Sequence, residues 1–314
     1  MNTRIVFMGT PDFAVSSLQA ICDAGFDVAA VVTVPDRKVG RGQKISFSPV
    51  KQYAMEHNLT ILQPSNLKDP EFVDTLQQLK AHIFVVVAFR MLPKVVWSIP
   101  PLGTFNLHAS LLPQYRGAAP INWAIINGET TSGVTTFLLN ERIDEGEILL
   151  QESTPILQVD NAGSLHDRLA SIGAPLVVRT IEGLVNNSLS PHAQQPSKVG
   201  KPAPKIFKED CAINWNIPGK DIVNFVRGLC PYPAATTSMI DKTGVKHLFK
   251  IYDVVYNPNS ESIPAHLKTD EKNYIKVGCT DGYIEILSLQ IEGKRRISAK
   301  EFLRGTSITD WKIA

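Results

Sequence analysis

At 314 residues, with 44% hydrophobic side chains and a formal net charge of +2, the chain is long enough for about two domains, each with its own core. No apolar run approaches the roughly 18 residues that span a bilayer, and the opening MNTRIVFMGT leads into a short strand-like run in place of a secretory core, which predicts a cytoplasmic protein with no membrane partner. Cys22, Cys211, Cys230 and Cys279 are scattered, without C-x-x-C spacing, which argues against a disulfide framework and a paired-cysteine metal site.

In chain order, RIVFMG (4–9), DVAAVVTV (27–34), HIFVVVAF (82–89) and GTFNLH (103–108) are short, rich in β-branched residues and apolar on both faces, as buried parallel strands are. Between them FAVSSLQAICDAG (13–25) predicts a helix stopped by Gly25, and DPEFVDTLQQLKA (69–81) predicts one capped by Asp69 with Pro70 in its first turn. This βαβαβ rhythm specifies a doubly wound α/β sheet. Strands are expected at 133–140 and 146–156, and then a helix over 163–186 that bends or breaks near Gly173 and Pro175. NNSLSPHAQQPSKVGKPAPK (186–205) breaks all periodicity and reads as a linker. Beyond it, GKDIVNFVRGL (219–229) reads as a helix, and strand-like runs near 232–240, 245–256, 274–277 and 283–289 suggest a small β-barrel.

Charge is uneven along this plan: from residue 198 onward there are 18 Lys and Arg against 13 Asp and Glu, a mild pointer to a polyanionic partner. The turn MGTPDFA (8–14) has one glycine and does not match G-x-G-x-x-G, which disfavours a dinucleotide cofactor. VPDRKVGRGQKISFSPVK (34–51) is a long connection carrying Arg37, Lys38, Arg41, Lys44 and Lys51 around two glycines, either a solvated loop or one that contacts phosphates. VAFRMLPKVVW (87–97) and SLLPQYRGAAPINWAI (110–125) fall at the carboxyl edge of the sheet, where open α/β sheets bind ligands, and their apolar residues suit either a flat heteroaromatic ring or the core.

Alone, His108 reads as a structural histidine. Asn106 lies two residues before it, hence on the same strand face, and NERIDEGEIL (140–149) sets Asp144 in a polar turn between two apolar strands. An amide, an imidazole and a carboxylate at one sheet edge can stabilise an oxyanion, move a proton and orient the proton carrier. No G-x-S-x-G elbow or H-E-x-x-H pair is present, so direct transfer without a covalent enzyme intermediate or metal is the chemistry implied.

FNLHASLLPQYRGAAPINWAI with IDEGEIL resembles the signature of formyltransferases that use 10-formyltetrahydrofolate. FMGTPDFAV, PDRKVGRGQKISFSPVK, VVVAFRMLP, KIFKEDCAINW and GLCPYPAATT follow that family's pattern in order, from near residue 4 to near residue 305. The resemblance implies a Rossmann-like formyltransferase domain over 1–188, a basic linker over 189–208 and an OB-like β-barrel that binds tRNA over 209–314. It implies transfer of a formyl group from 10-formyltetrahydrofolate, as cosubstrate, to the α-amino group of methionyl initiator tRNA for translation initiation, by a monomer without a metal. It assigns catalysis to Asn106, His108 and Asp144, and folate binding to Phe89, Arg90, Met91 and Leu92 with Ser110, Leu111, Leu112 and Pro113. It gives tRNA contacts to Arg37, Lys38, Arg41, Lys44, Lys201, Lys205 and Lys208, with Lys294, Arg295 and Arg296 as further basic residues. The run VVVAFRML departs from the usual VVVAYG at Arg90 and Met91, and GLCPYPA departs from AFNPWPGA, so the pterin contacts are the least transferable part. A small-amine acceptor such as an amino-sugar nucleotide shares the trio and the folate loops, and an RNA-binding protein with a vestigial site is the non-enzymatic alternative; the basic linker argues against the first and the intact trio against the second.

Overall fold

The computed structural model describes residues 3–39, 44–195 and 200–314. Two compact units emerge, one of Met1–Pro120, Thr131–Pro155 and His166–Ala203, the other of Ile121–Thr130, Ile156–Leu165 and Pro204–Ala314.

The elements that build the first unit begin with β1 (Arg4–Gly9), α1 (Asp12–Asp23), β2 (Asp27–Val32), β3 (Arg37–Val39), β4 (Lys44–Ser46), α2 (Pro49–Glu56), β5 (Ile61–Leu62), α3 (Pro70–Gln78), β6 (Ile83–Val87), α4 (Lys94–Trp97) and β7 (Thr104–His108). After α5 (Pro120–Ile126), nearly all of which belongs to the second unit, come β8 (Thr131–Leu138), β9 (Ile148–Pro155) and α6 (Ala162–Val185). The sheet order is β5-β2-β1-β6-β7-β8-β9. Strands β5 to β7 along this order are parallel, and β8 and β9 are antiparallel.

The strand runs read from the sequence are the strands found, because β1 and β6 are buried at almost every position and only unbroken apolar sequence tolerates that. Asp69 caps α3 by accepting the Glu71 N–H, with Pro70 in the first turn, and Gly25 follows α1 at φ +77°. Two expectations change. Within residues 34–51, expected to be one long connection, Arg37–Val39 and Lys44–Ser46 form the antiparallel pair β3–β4, and α2 begins at Pro49. The helix expected to break near Gly173 and Pro175 is continuous over Ala162–Val185. Proline removes one i→i−4 hydrogen bond, whereas burial of Leu169, Ala174, Leu176, Val177 and Ile181 holds the turns on either side.

The second unit opens its C-terminal part with α7 (Gly219–Leu229), where the sequence puts it, and continues through β10 (Ala235–Ile240), β11 (Lys246–Pro258), β12 (Leu267–Thr269), β13 (Ile275–Cys279), β14 (Gly282–Ile291), β15 (Ile297–Ser298), α8 (Ala299–Gly305) and β16 (Lys312–Ile313). Its near-barrel sheet is antiparallel, in the order β12-β13-β14-β11-β10-β16 with β15 on β14. Phe249, Ile251, Ile284, Leu289 and Phe302 fill its core. Asn122 on α5 donates to the Gly228 carbonyl at 2.7 Å and Trp123 to that of Pro204 at 2.8 Å, which ties α5 into this unit. Among the described residues no helix is long and apolar enough to cross a membrane.

Candidate active site

The carboxyl ends of β1, β2, β6 and β7 leave the first unit's sheet at one edge, so the loops after them share a surface. β7 puts Asn106 and His108 on one face, His108 being the strand's last residue, opposite Thr135 of β8. His108 is buried at 6% exposure and its Nε2 lies 2.8 Å from the Tyr115 carbonyl oxygen. A carbonyl only accepts, so Nε2 carries the hydrogen and the lone pair of the neutral imidazole is at Nδ1. Nδ1 faces Asp144 Oδ2 at 3.9 Å, within ion-pair reach and too long for a hydrogen bond. Asn106 is half-buried on the strand between these groups and the sheet interior.

Asp144 sits at φ +54° in the turn between β8 and β9, and its Oδ2 accepts the Gly117 N–H at 2.9 Å. Gly117 is itself at φ +125°, and a Cβ there would stand 2.4 Å from the Ala203 carbonyl oxygen, so both backbone angle and space demand glycine. Gly146 is equally obligatory, since a Cβ would meet the Leu138 carbonyl oxygen at 1.6 Å. The linker stretch itself closes this loop: the Tyr115 N–H donates to the Lys201 carbonyl at 2.6 Å, and Ala203 exchanges backbone hydrogen bonds with Arg116 and Ala119.

The loop of Ser110 to Pro113 is fixed by two residues that sequence reading overlooked. Thr135 Oγ1, fully buried, donates to the Ser110 carbonyl at 2.6 Å and accepts the Leu112 N–H at 3.1 Å. Gln151 donates to the Leu112 carbonyl at 3.0 Å and to Thr135 Oγ1 at 2.9 Å. Thr135 signals itself in sequence only as a polar residue at a buried position of a strand, and Gln151, exposed on β9, gives no signal at all. Ser110 Oγ is spent on the Gln114 carbonyl at 2.6 Å and Leu112 packs with Phe137 and Ile148, which leaves Leu111 and Pro113 as the half-buried members.

After β6, Phe89 is half-buried and Leu92 buried, while Met91 is 69% exposed. Arg90 donates to the carbonyls of Pro64 at 2.8 Å and Ser65 at 3.2 Å and lies over the Phe89 ring at 5.2 Å; burial, then the like charge of Arg37, lowers its guanidinium pKa. Arg37 is exposed at the start of β3; Lys38 and Lys44 lie in the β3–β4 pair, and Arg41 lies outside the described residues. Lys201 is exposed in the first unit. In the second, Lys205 and Lys208 are exposed, Lys205 over the Phe207 ring at 5.2 Å, and Lys294, Arg295 and Arg296 are exposed as well. Burial raises the pKa of all four thiols, which leaves little thiolate for nucleophilic chemistry.

The profile of the formyl transferase family matches residues 3–181, and that of the formyl transferase C-terminal domain matches 205–307. The chain belongs to the formyl transferase family. Among members of that family, a methionyl-tRNA formyltransferase of Bacteroides thetaiotaomicron is 50% identical over 98% of this chain and 97% of its own. One from Porphyromonas gingivalis is 46% identical over 98% and 96%. An N-formyltransferase from Helicobacter canadensis, solved with folinic acid and dTDP-3-aminofucose, superposes with a TM-score of 0.65 at 23% identity, covering 94% of this chain and all of that one, which is a likeness of fold.

Proposed function

We propose that this chain transfers the formyl group of 10-formyltetrahydrofolate to the α-amino group of methionyl initiator tRNA in the cytoplasm. The observation that carries the reading is the orientation of His108: one ring nitrogen is engaged by the Tyr115 carbonyl and the other is presented, unprotonated in the neutral ring, toward Asp144, with Asn106 two residues back on the same strand face. The acceptor comes from the near full-length relatives at 46 to 50% identity, all named for methionyl-tRNA.

The folate supplies a formyl carbon on an arylamine nitrogen. The residues fit such a ligand, since Met91 offers an exposed apolar thioether after β6 while the 110–113 loop after β7 is held rigid by Thr135 and Gln151. Attack by the α-amino nitrogen forms the new N–C bond and places charge on the formyl oxygen, where the Asn106 amide donates. An α-amino group has an ordinary pKa of about 7.7–8.0, lowered by the ester, so the nucleophile is largely neutral and departure of the arylamine is the harder step. His108 Nδ1 accepts the proton released by the attacking nitrogen and returns it to the leaving nitrogen as the old C–N bond breaks, with Asp144 steadying the imidazolium.

Arg37, Lys38, Arg41 and Lys44 would meet the acceptor end of the tRNA, and Lys201, Lys205 and Lys208 its phosphates. The test is transfer of labelled formyl from 10-formyltetrahydrofolate to initiator methionyl-tRNA, with elongator methionyl-tRNA and an amino-sugar nucleotide in parallel. Labelling of the initiator, with tRNA affinity falling steeply as salt rises, is the expected result. Labelling of the amino sugar alone keeps the trio and overturns the acceptor; no turnover from folded protein overturns the reaction.

A further inference from the structure

The stretch read as a linker contains a glutamine whose amide is hydrogen-bonded on every side. Gln194 Nε2 donates to the Asp144 carbonyl at 2.9 Å and to the Gly146 carbonyl at 2.8 Å. Its Oε1 accepts from Arg116 Nε at 3.1 Å and Nη2 at 2.7 Å. A primary amide has two donors and two acceptor sites, so this one is saturated. All three of its partners belong to the site. Arg116 stands between Tyr115, whose carbonyl holds His108, and Gly117, whose N–H holds Asp144.

We infer that Gln194 is a positioning residue that sets the orientation of Asp144 toward His108, so that the segment joining the two units is part of the catalytic apparatus. The inference rests on the role given to Asp144 above. Asp144 occupies a left-handed backbone conformation, which aspartate tolerates better than most residues but at a cost relative to glycine, so contacts from outside the turn help to hold it. The two carbonyls that Gln194 grips belong to Asp144 itself and to the residue two beyond it, so the peptide planes on the C-terminal side of Asp144 are fixed from outside the turn. Arg116 completes the frame through an ion pair with Glu145 at 2.9 Å. The approach of the segment is also set, because His192 exchanges both backbone hydrogen bonds with Ile148, at 2.9 and 3.1 Å, at the start of β9. Without the amide the turn is free to relax, Asp144 Oδ2 leaves the Gly117 N–H, and the 3.9 Å approach to His108 is lost.

Three full-length variants test this. Gln194→Ala removes the amide, Gln194→Met fills its volume without hydrogen bonds, and Gln194→Glu keeps its shape but sets a carboxylate against two carbonyl oxygens. Each is expected to lose about tenfold or more in kcat, as small misplacements of a reacting group do, with the KM for folate and the melting temperature close to wild type. Normal kcat in folded Gln194→Ala, or recovery in Gln194→Met, would assign the residue to packing and overturn the inference. Asp144→Asn supplies the second measurement. If Gln194 acts through Asp144, adding Gln194→Ala to Asp144→Asn costs little more than Asp144→Asn alone, whereas fully additive losses would mean an independent role. The same variant separates the two levels of argument: Asp144→Asn with normal turnover refutes the reading of the site itself, whereas an inactive Asp144→Asn beside a normal Gln194→Ala refutes only this inference.

Discussion

The interior of the first unit contains Thr104, His108, Ser110, Thr135, Thr136 and Thr180 among its buried polar residues, each with a hydrogen-bond partner, whereas among the described residues the second unit buries only Asp160 and Thr237. A satisfied buried hydrogen bond adds about 1 kcal/mol net, and an orphaned one costs about 1–3 kcal/mol. The first unit therefore carries a network that stabilises little while complete and penalises any disturbance, which suits loops that must hold reacting groups still. The second unit gets its stability from an apolar core and, Asp160 apart, leaves its charges at the surface.

The largest effect expected from that difference is on the second unit's core. Phe249 is fully buried against Phe302 and Trp311, so Phe249→Ala should cost about 3–5 kcal/mol of stability. Calorimetry or urea unfolding would show it, and folate binding by the first unit should survive where that unit remains folded. Retained stability would mean that the apolar core is not what holds the second unit. Asn106→Ala should do the reverse. Its removal of one oxyanion donor is expected to lower turnover by about 100-fold to 1000-fold at an unchanged melting temperature, and near-normal turnover would remove Asn106 from the chemistry.

Thr135→Val sharpens the comparison from within the network. The substitution keeps the shape of a fully buried side chain and strips partners from Ser110, Leu112 and Gln151 at once. A loss of about 1–3 kcal/mol is expected, together with weaker folate binding as the 110–113 loop loosens. Stability lost without any change in folate affinity would separate that loop from the ligand.

The parts of this plan that the sequence shows are those set by local side-chain pattern. The buried strands are plain in RIVFMG and HIFVVVAF because burial on both faces needs apolar residues throughout, and Asp69–Pro70 announces a helix start through its own chemistry. Asn106 and His108 are readable as a pair because strand alternation fixes their face. The frame around them is not, because it is made by backbone groups. The Tyr115 carbonyl that orients His108, the Gly117 N–H on Asp144 and the Lys201 carbonyl on Tyr115 are present in any residue. Gln194 is hidden for a related reason: in a run dense in Pro, Ser and Gln, composition signals a spacer, and only the fold shows that one amide meets two carbonyls and a guanidinium. Pro175 misleads in the opposite sense, since a local breaking signal is overridden by packing on both sides.

The smallest effect contrasts two histidine–aspartate pairs. In the β10–β11 turn of the second unit, Asp241 Oδ2 lies 2.8 Å from His247 Nε2, and its Oδ1 accepts from Thr243 and Val245. The hydrogen bond to His247, then those from Thr243, hold the carboxyl well below the ordinary aspartate range. Such a depressed group contributes stability that is fully present above the unfolded value of about 3.9 and is lost as pH falls through its lower folded value. Asp241→Asn should therefore melt below wild type near neutrality, and the gap should narrow progressively as pH drops below about 4. A gap independent of pH would show that the carboxylate's charge contributes nothing. The site pair differs in one respect that matters: His108 and Asp144 stand 3.9 Å apart. Close contact makes the Asp241–His247 pair a clasp for its turn, whereas in the proposed mechanism the wider spacing would leave the His108 Nδ1 open to the proton of a substrate amine.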